Sequence, residues 1–164
     1  MIPTYFNSPE KDAALRAAVA SVVGTPFFAN SEAPGRDGGM DCVHVLDYVY
    51  RTCGVIGKIE IPRQSMDWGQ NSEHSLLIEA FETWPELVAH FTKLESYSVS
   101  ELLPGDALCF TCGKVPHHGG LMLWSKEILH TLKSDGAHTM RIDAVIRGQK
   151  ILGKLAAVYR PQPL

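Results

Sequence analysis

Long hydrophobic runs are missing from this sequence. None approaches the roughly 20 apolar residues that a membrane helix needs, so no spanning segment is expected. Excess positive charge is missing too. Fifteen Lys and Arg stand against 18 Asp and Glu, a formal net charge of −3, and no basic run is clustered. That excludes the electrostatic footprint of a nucleic-acid or anionic-membrane binder. The opening residues, Met1-Ile2-Pro3-Thr4-Tyr5-Phe6-Asn7-Ser8, have neither a basic start nor an apolar centre and do not read as a secretory signal. The expected place of synthesis is the cytoplasm. Cysteine is scarce: Cys42, Cys53, Cys109 and Cys112 form no small disulfide framework, and a chain of 164 residues buries a core without one, so free thiols are expected. Internal repeats and low-complexity tracts are also absent.

What is present is ordinary in bulk, 45% apolar and 20% charged, and fits one globular domain over residues 1–164. The informative stretch is Gly38-Gly39-Met40-Asp41-Cys42 and the residues after it. Cys42, Val45, Leu46, Val49 and Cys53 recur at helical spacing, and Gly54 is a natural stop. Asp41 is a natural N-cap, which puts Cys42 in the first turn. The partial positive charge there stabilises a thiolate over a thiol. The same free N–H groups can hold an oxyanion. The plain alternative for Cys42 is a small apolar residue in the core.

Around this helix the pattern divides in two. Ser8-Pro9-Glu10 starts a helix that buries Leu15, Ala18, Val19, Val22 and Val23 and ends at Gly24-Thr25-Pro26. An irregular loop leads from Phe27 to Gly39. A short extended piece is expected over 55–61 and a helical turn over 66–70. A helix is expected over 75–83, followed by one capped by Thr83 that runs through Phe91. Trp68 and Trp84 read as packing residues. The second half is strand-rich: 107–111, 118–124, 127–132, 138–142 and 155–160, with one or two helical turns between 143 and 153. Helices first and antiparallel strands second predict an α+β domain.

A thiolate nucleophile needs a base, and the base needs a partner that orients it. His118 opens a strand just before Gly119 and Gly120, and His130 follows 12 positions later on the returning strand. Side chains alternate along a strand, so a two-residue turn at Ser125-Lys126 would put these histidines on opposite faces. A three-residue turn, a bulge near Glu127, or a His118 standing just ahead of the strand would each remove the conflict. His44, His74, His90, His117 and His138 read as structural or rim side chains.

Four motifs in order now carry a resemblance: Gly-x-Asp-Cys heading an apolar helix, Leu103-Pro104-Gly105-Asp106 before a strand, His118-x-Gly120-Leu121, and Ile128-Leu129-His130. With Tyr159-Arg160-Pro161 they resemble the NlpC family of papain-like cell-wall cysteine peptidases over roughly residues 24–160, most closely its phage and prophage-like branch. The resemblance implies a papain-like fold with N-terminal helices on a small antiparallel sheet. It implies Cys42 as nucleophile, His118 as general base and later acid, and His130 as the residue orienting His118. It implies Asp41 facing the free amine of a peptide stem, in competition with its capping role. The implied substrate is a bacterial cell-wall stem peptide, cut between D-glutamate and a diamino acid, without metal or other cofactor. The implied partners are peptidoglycan and cell-wall or phage-tail machinery, and the implied destinations are a virion or release from the cell. Two departures stand out. Val43-His44 occupies the place of the family's Ser-Gly pair, and the segment 69–96 is longer than the minimal fold needs.

Two rival readings remain. A papain-like thiol site also serves amidases and acyltransferases, or survives as an inert phage-tail scaffold. Separately, Cys109-Phe110-Thr111-Cys112 with His117 and His118 has the residue types of a small zinc site. Alternation along a strand argues against convergence of Cys109 and Cys112.

Overall fold

The computed structural model describes residues 1–64, 75–111, 116–143 and 154–163, and of residues 116 and 117 it describes the backbone. Helix α1 spans Pro9–Val22; the Ser8 side chain accepts from the Lys11 N–H at its head, and Leu15, Ala18, Val19 and Val22 are buried. A two-residue hairpin, β1 (Glu32–Ala33) with β2 (Gly39–Met40), delivers the chain to α2, Cys42–Thr52. Gly54, at φ +75°, ends that helix in the left-handed region. Helix α3 spans Leu76–Thr83 with Ser75 as its N-cap, and α4 spans Pro85–His90.

Six antiparallel strands follow: β3 (Phe91–Lys93), β4 (Ala107–Thr111), β5 (Pro116–Met122), β6 (Glu127–Leu132), β7 (Gly136–Arg141) and β8 (Lys154–Pro161). Their spatial order is β3-β8-β4-β5-β6-β7. The pleat sorts the core into two layers. Ala107, Cys109, Leu121, Leu129, Ala157 and Tyr159 pack with Leu15, Val45, Leu46, Val49 and Tyr50 of the helices. Leu108, Phe110, Met122, Ile128 and Val158 pack on the other side with Leu94, Leu102 and Ile142. The α+β expectation is therefore met, with helices covering one face of the sheet.

One buried ion pair ties the ends of the chain to the sheet. Arg160 donates from Nε and Nη2 to the two oxygens of Asp106 at 2.8 and 2.7 Å, and its remaining donors reach the carbonyls of Ile2 and Glu101. Asp106 also accepts from the Leu103 N–H. The Leu-Pro-Gly-Asp turn is thus shaped around a guanidinium with both fork arms filled.

Three local expectations are corrected. Thr83 does not cap α4: its hydroxyl donates back to the Glu79 carbonyl, and Trp84 holds the cap position with no side-chain bond. Phe91 leaves the helix and starts β3, pairing with Pro161. No strand forms over 55–61. The expected turn at 66–70, Trp68 and nearly all of the expected helical turns at 143–153 lie outside the described residues.

Candidate active site

Helix α2 fixes the position of the sulfur. Asp41 sits at the N-cap with extended backbone, and its Oδ1 accepts from the His44 N–H at 3.0 Å. Cys42 is the first helical residue and is half-buried. The helix packs over Gly119 of β5: a Cβ there would stand 2.9 Å from Leu46 Cδ1 and 3.7 Å from the Cys42 carbonyl oxygen. The residue next to His118 is therefore in backbone contact range of Cys42.

Asp41 is fully engaged. Oδ1 also meets His44 Nδ1 at 2.7 Å, and Oδ2 accepts from the Asn30 N–H at 2.7 Å. Burial works to raise the Asp41 pKa, but the His44 side-chain and backbone hydrogen bonds outweigh it and hold the carboxyl below its ordinary value. The same pairing outweighs the desolvation of His44 and raises the imidazole pKa. His44 is buried on Asp41, so of the structural and rim placements left open by the sequence it takes the structural one, at the head of the site.

The histidines come together through register. Residues 120–122 of β5 pair with 130–128 of β6, and Leu123 N–H donates to the Glu127 carbonyl. The connection is thus three residues, Trp124–Lys126, with Ser125 and Lys126 at positive φ. That length puts even-numbered residues of both strands on one face. His118 stands two positions beyond the last β5–β6 pair, Gly120 with His130, and its ring lies 6.3 Å from that of Phe110. Its Nε2 is 3.2 Å from His130 Nδ1, with the rings edge to face. Of the residues expected to form the site, Cys42 and Asp41 head the helix packed on β5, and His118 and His130 are bonded to each other.

Sequence reasoning passed over His138. It pairs directly with His130 across β6 and β7, and the two Nε2 atoms are 3.0 Å apart. His138 Nδ1 in turn lies 2.9 Å from the Gly136 carbonyl oxygen. A signal existed: His130 and His138 lie four residues either side of Ser134, in a turn marked Ser-Asp-Gly. His130 is 1% exposed, and burial, helped by the neighbouring His138, pulls its pKa down to about 4. It stays neutral through the physiological range.

Two of the four residues of the zinc alternative have described side chains, Cys109 and His118. Cys109 is fully buried, where burial pushes its thiol pKa up, and His118 is bonded to His130. Among the described residues no group of three or more His, Cys, Asp or Glu could hold a metal ion. Cys112 and the His117 side chain lie outside the described residues. Among the described residues, Cys42, Cys53 and Cys109 form no disulfide.

A helix headed by a cysteine lies on an antiparallel sheet that carries a bonded histidine pair, and solved structures with the same fold are NlpC/p60 domains. The chain matches the NlpC/p60 domain of the peptidoglycan hydrolase SagA with a TM-score of 0.52 at 18% identity, over 90% of this chain and 96% of that one. It matches an NLP/P60-family lipoprotein-like protein of Staphylococcus aureus with a TM-score of 0.58 at 17% identity, over 99% of this chain and 44% of that one. The peptidoglycan hydrolase RipB of Mycobacterium tuberculosis gives 0.53 at 16% identity, over 97% and 68%. The chain thus spans nearly all of one such structure and less than half of another. No family model and no curated protein matches the sequence.

Proposed function

We propose that this chain is a cysteine hydrolase that cuts amide bonds of bacterial cell-wall stem peptides. The observation that carries the reading is the bond between His118 and His130 on a strand packed against the helix headed by Cys42. In this reading Cys42 is the nucleophile, and His118 takes its proton as the thiolate attacks the amide carbonyl. The tetrahedral oxyanion is held by first-turn N–H groups of α2, where the helix end favours negative charge. His118 then returns the proton to the leaving amine. Water, deprotonated by the same imidazole, releases the acyl group from the sulfur. His130, neutral and buried, orients His118.

The bond proposed is that between D-glutamate and the following diamino acid, the cut implied by the resemblance to the phage-like branch of the NlpC family. Two solved structures of the same fold, SagA and RipB, are described as peptidoglycan hydrolases, which supports a cell-wall substrate. Asp41 is the proposed contact for a free stem amine, reached at the expense of its bond to His44. That bond favours a second reading. Where the resemblance implies Ser-Gly, this chain has Val43-His44, and His44 already occupies Asp41. A papain-like amidase or acyltransferase acting on a substrate without a free amine, in the cell wall or in a phage tail, fits that lock.

Digestion of purified muropeptides followed by mass analysis tests the proposal. The expected products differ in mass by the fragments of a D-glutamyl cut, with Cys42→Ala and His118→Ala both inactive and folded. Unchanged turnover in His118→Ala would overturn the assignment of the base, and intact muropeptides with an active thiol would favour the second reading.

A further inference from the structure

The three histidines form a chain with only one chemically distinct end. A backbone carbonyl only accepts, so His138 Nδ1, 2.9 Å from the Gly136 oxygen, must carry a proton. With the ring neutral, His138 Nε2 is then an acceptor. It faces His130 Nε2 at 3.0 Å, which must donate. His130 Nδ1 is left as acceptor, and His118 Nε2, 3.2 Å away, must donate to it. The proton of His118 is thereby confined to Nε2, and Nδ1 is left with the lone pair that a base needs. The geometry points to His138 as a positioning residue that, through the Gly136 carbonyl, sets the tautomer of His130 and hence of the proposed base His118.

The anchor of this chain is rigid. Gly136 has φ +67°, and a Cβ there would stand 2.4 Å from the Thr25 carbonyl oxygen. Hydrogen bonds of 2.8 Å from Gly24 N–H to the Ala137 oxygen and from Ala137 N–H to the Thr25 oxygen hold the first turn of β7 against the segment that follows α1. The carbonyl that fixes His138 is thus held from outside the sheet. His130 is fully buried between the other two rings, so no solvent exchange resets its tautomer at equal cost. A lone histidine in the orienting position has two tautomers, and only one of them accepts from His118. The third ring removes the choice.

The use of the base rests on the proposed hydrolase reading; the proton positions do not, and the experiment separates the two. Long-range proton–nitrogen correlation spectra of the full chain, labelled with nitrogen-15 in histidine and recorded near pH 8, read each tautomer directly. The expected result is Nδ1–H on His138, Nε2–H on His130 and Nε2–H on His118. His138→Leu removes the acceptor: His130 and His118 should become tautomer mixtures, and the rate of Cys42 alkylation and any amide turnover should fall roughly 10- to 100-fold. His138→Gln offers an oxygen to His130 and an amide to Gly136, and should restore the His130 Nε2–H tautomer and most of the rate. A wild-type spectrum with Nδ1–H on His130 overturns the inference. So does His138→Leu with both tautomers unchanged. If His138→Leu fails to fold, the wild-type spectrum and the His138→Gln rescue still decide. Correct tautomers with no cleavage of any muropeptide would leave the inference standing and remove the proposed substrate.

Discussion

Burial of His130 makes a sharp prediction about acid. Its pKa falls from an ordinary 6.5 to about 4 in the folded chain, chiefly through desolvation and then through the neighbouring His138, against a small opposing pull from Asp135. A histidine whose folded pKa lies below its unfolded value binds fewer protons when folded. Stability is therefore complete above pH 6.5 and declines as pH falls toward 4. A shift of roughly 2.5 units at about 1.4 kcal/mol per unit gives a loss of about 2 kcal/mol by pH 5 and about 3 kcal/mol by pH 4, relative to pH 7. His130→Gln, neutral at every pH, lacks this component whatever its absolute stability. The assay is urea unfolding of wild type and His130→Gln at pH 7, 6, 5 and 4. With a urea slope of about 1–3 kcal/mol per molar, the wild-type midpoint should fall by roughly 1–3 M more than that of the variant. Parallel curves for the two proteins would show that His130 takes up its proton as readily folded as unfolded, and would refute the claim that it orients His118 as a neutral ring.

Other perturbations read the scaffold around the site. Arg160→Met leaves the Asp106 carboxylate buried without its partner and should cost about 3–5 kcal/mol in urea unfolding, while the double variant Asp106→Leu with Arg160→Met should recover much of it. A loss below 1 kcal/mol for Arg160→Met would mean that the pair is solvated rather than buried. Gly119→Ala places a methyl 2.9 Å from Leu46 Cδ1, the end of a side chain that can turn aside, so it should cost about 1–2 kcal/mol in urea unfolding; a loss above about 3 kcal/mol would show that the packing of α2 on β5 cannot give way there.

The parts of this protein that sequence made legible are those governed by local chemistry. Asp41 as a cap, Cys42 in the first turn and Gly54 as a stop follow from capping rules within one turn of helix, and the helix forms with those bounds. The strands over 107–111 and 127–132 were equally plain, because their neighbours are turn residues. Register was harder. The connection after β5 uses Ser125 and Lys126 at positive φ, where a reader expects Gly or Asn, so its three-residue length carries no signature and the His118–His130 pairing stayed one of several geometries. His138 went unread for a related reason: a histidine on a strand gains meaning only when a cross-strand neighbour is known, although the Ser134-Asp135-Gly136 turn sets that neighbour. His44 was legible as a structural residue from helical spacing, but its partner was not, because its ring reaches back to the capping carboxylate of Asp41.

The account depends most on Cys42 being an activated thiol paired with His118, and the pH dependence of iodoacetamide labelling measures that directly. Cys53, whose thiol burial pushes up to about 11, serves as the slow internal reference in the same sample. The predicted result is a Cys42 labelling midpoint well below the roughly 8.5 of an ordinary thiol, returning to about that value in His118→Ala. A Cys42 midpoint at or above 8.5 that His118→Ala leaves unmoved would contradict the pairing and the mechanism built on it.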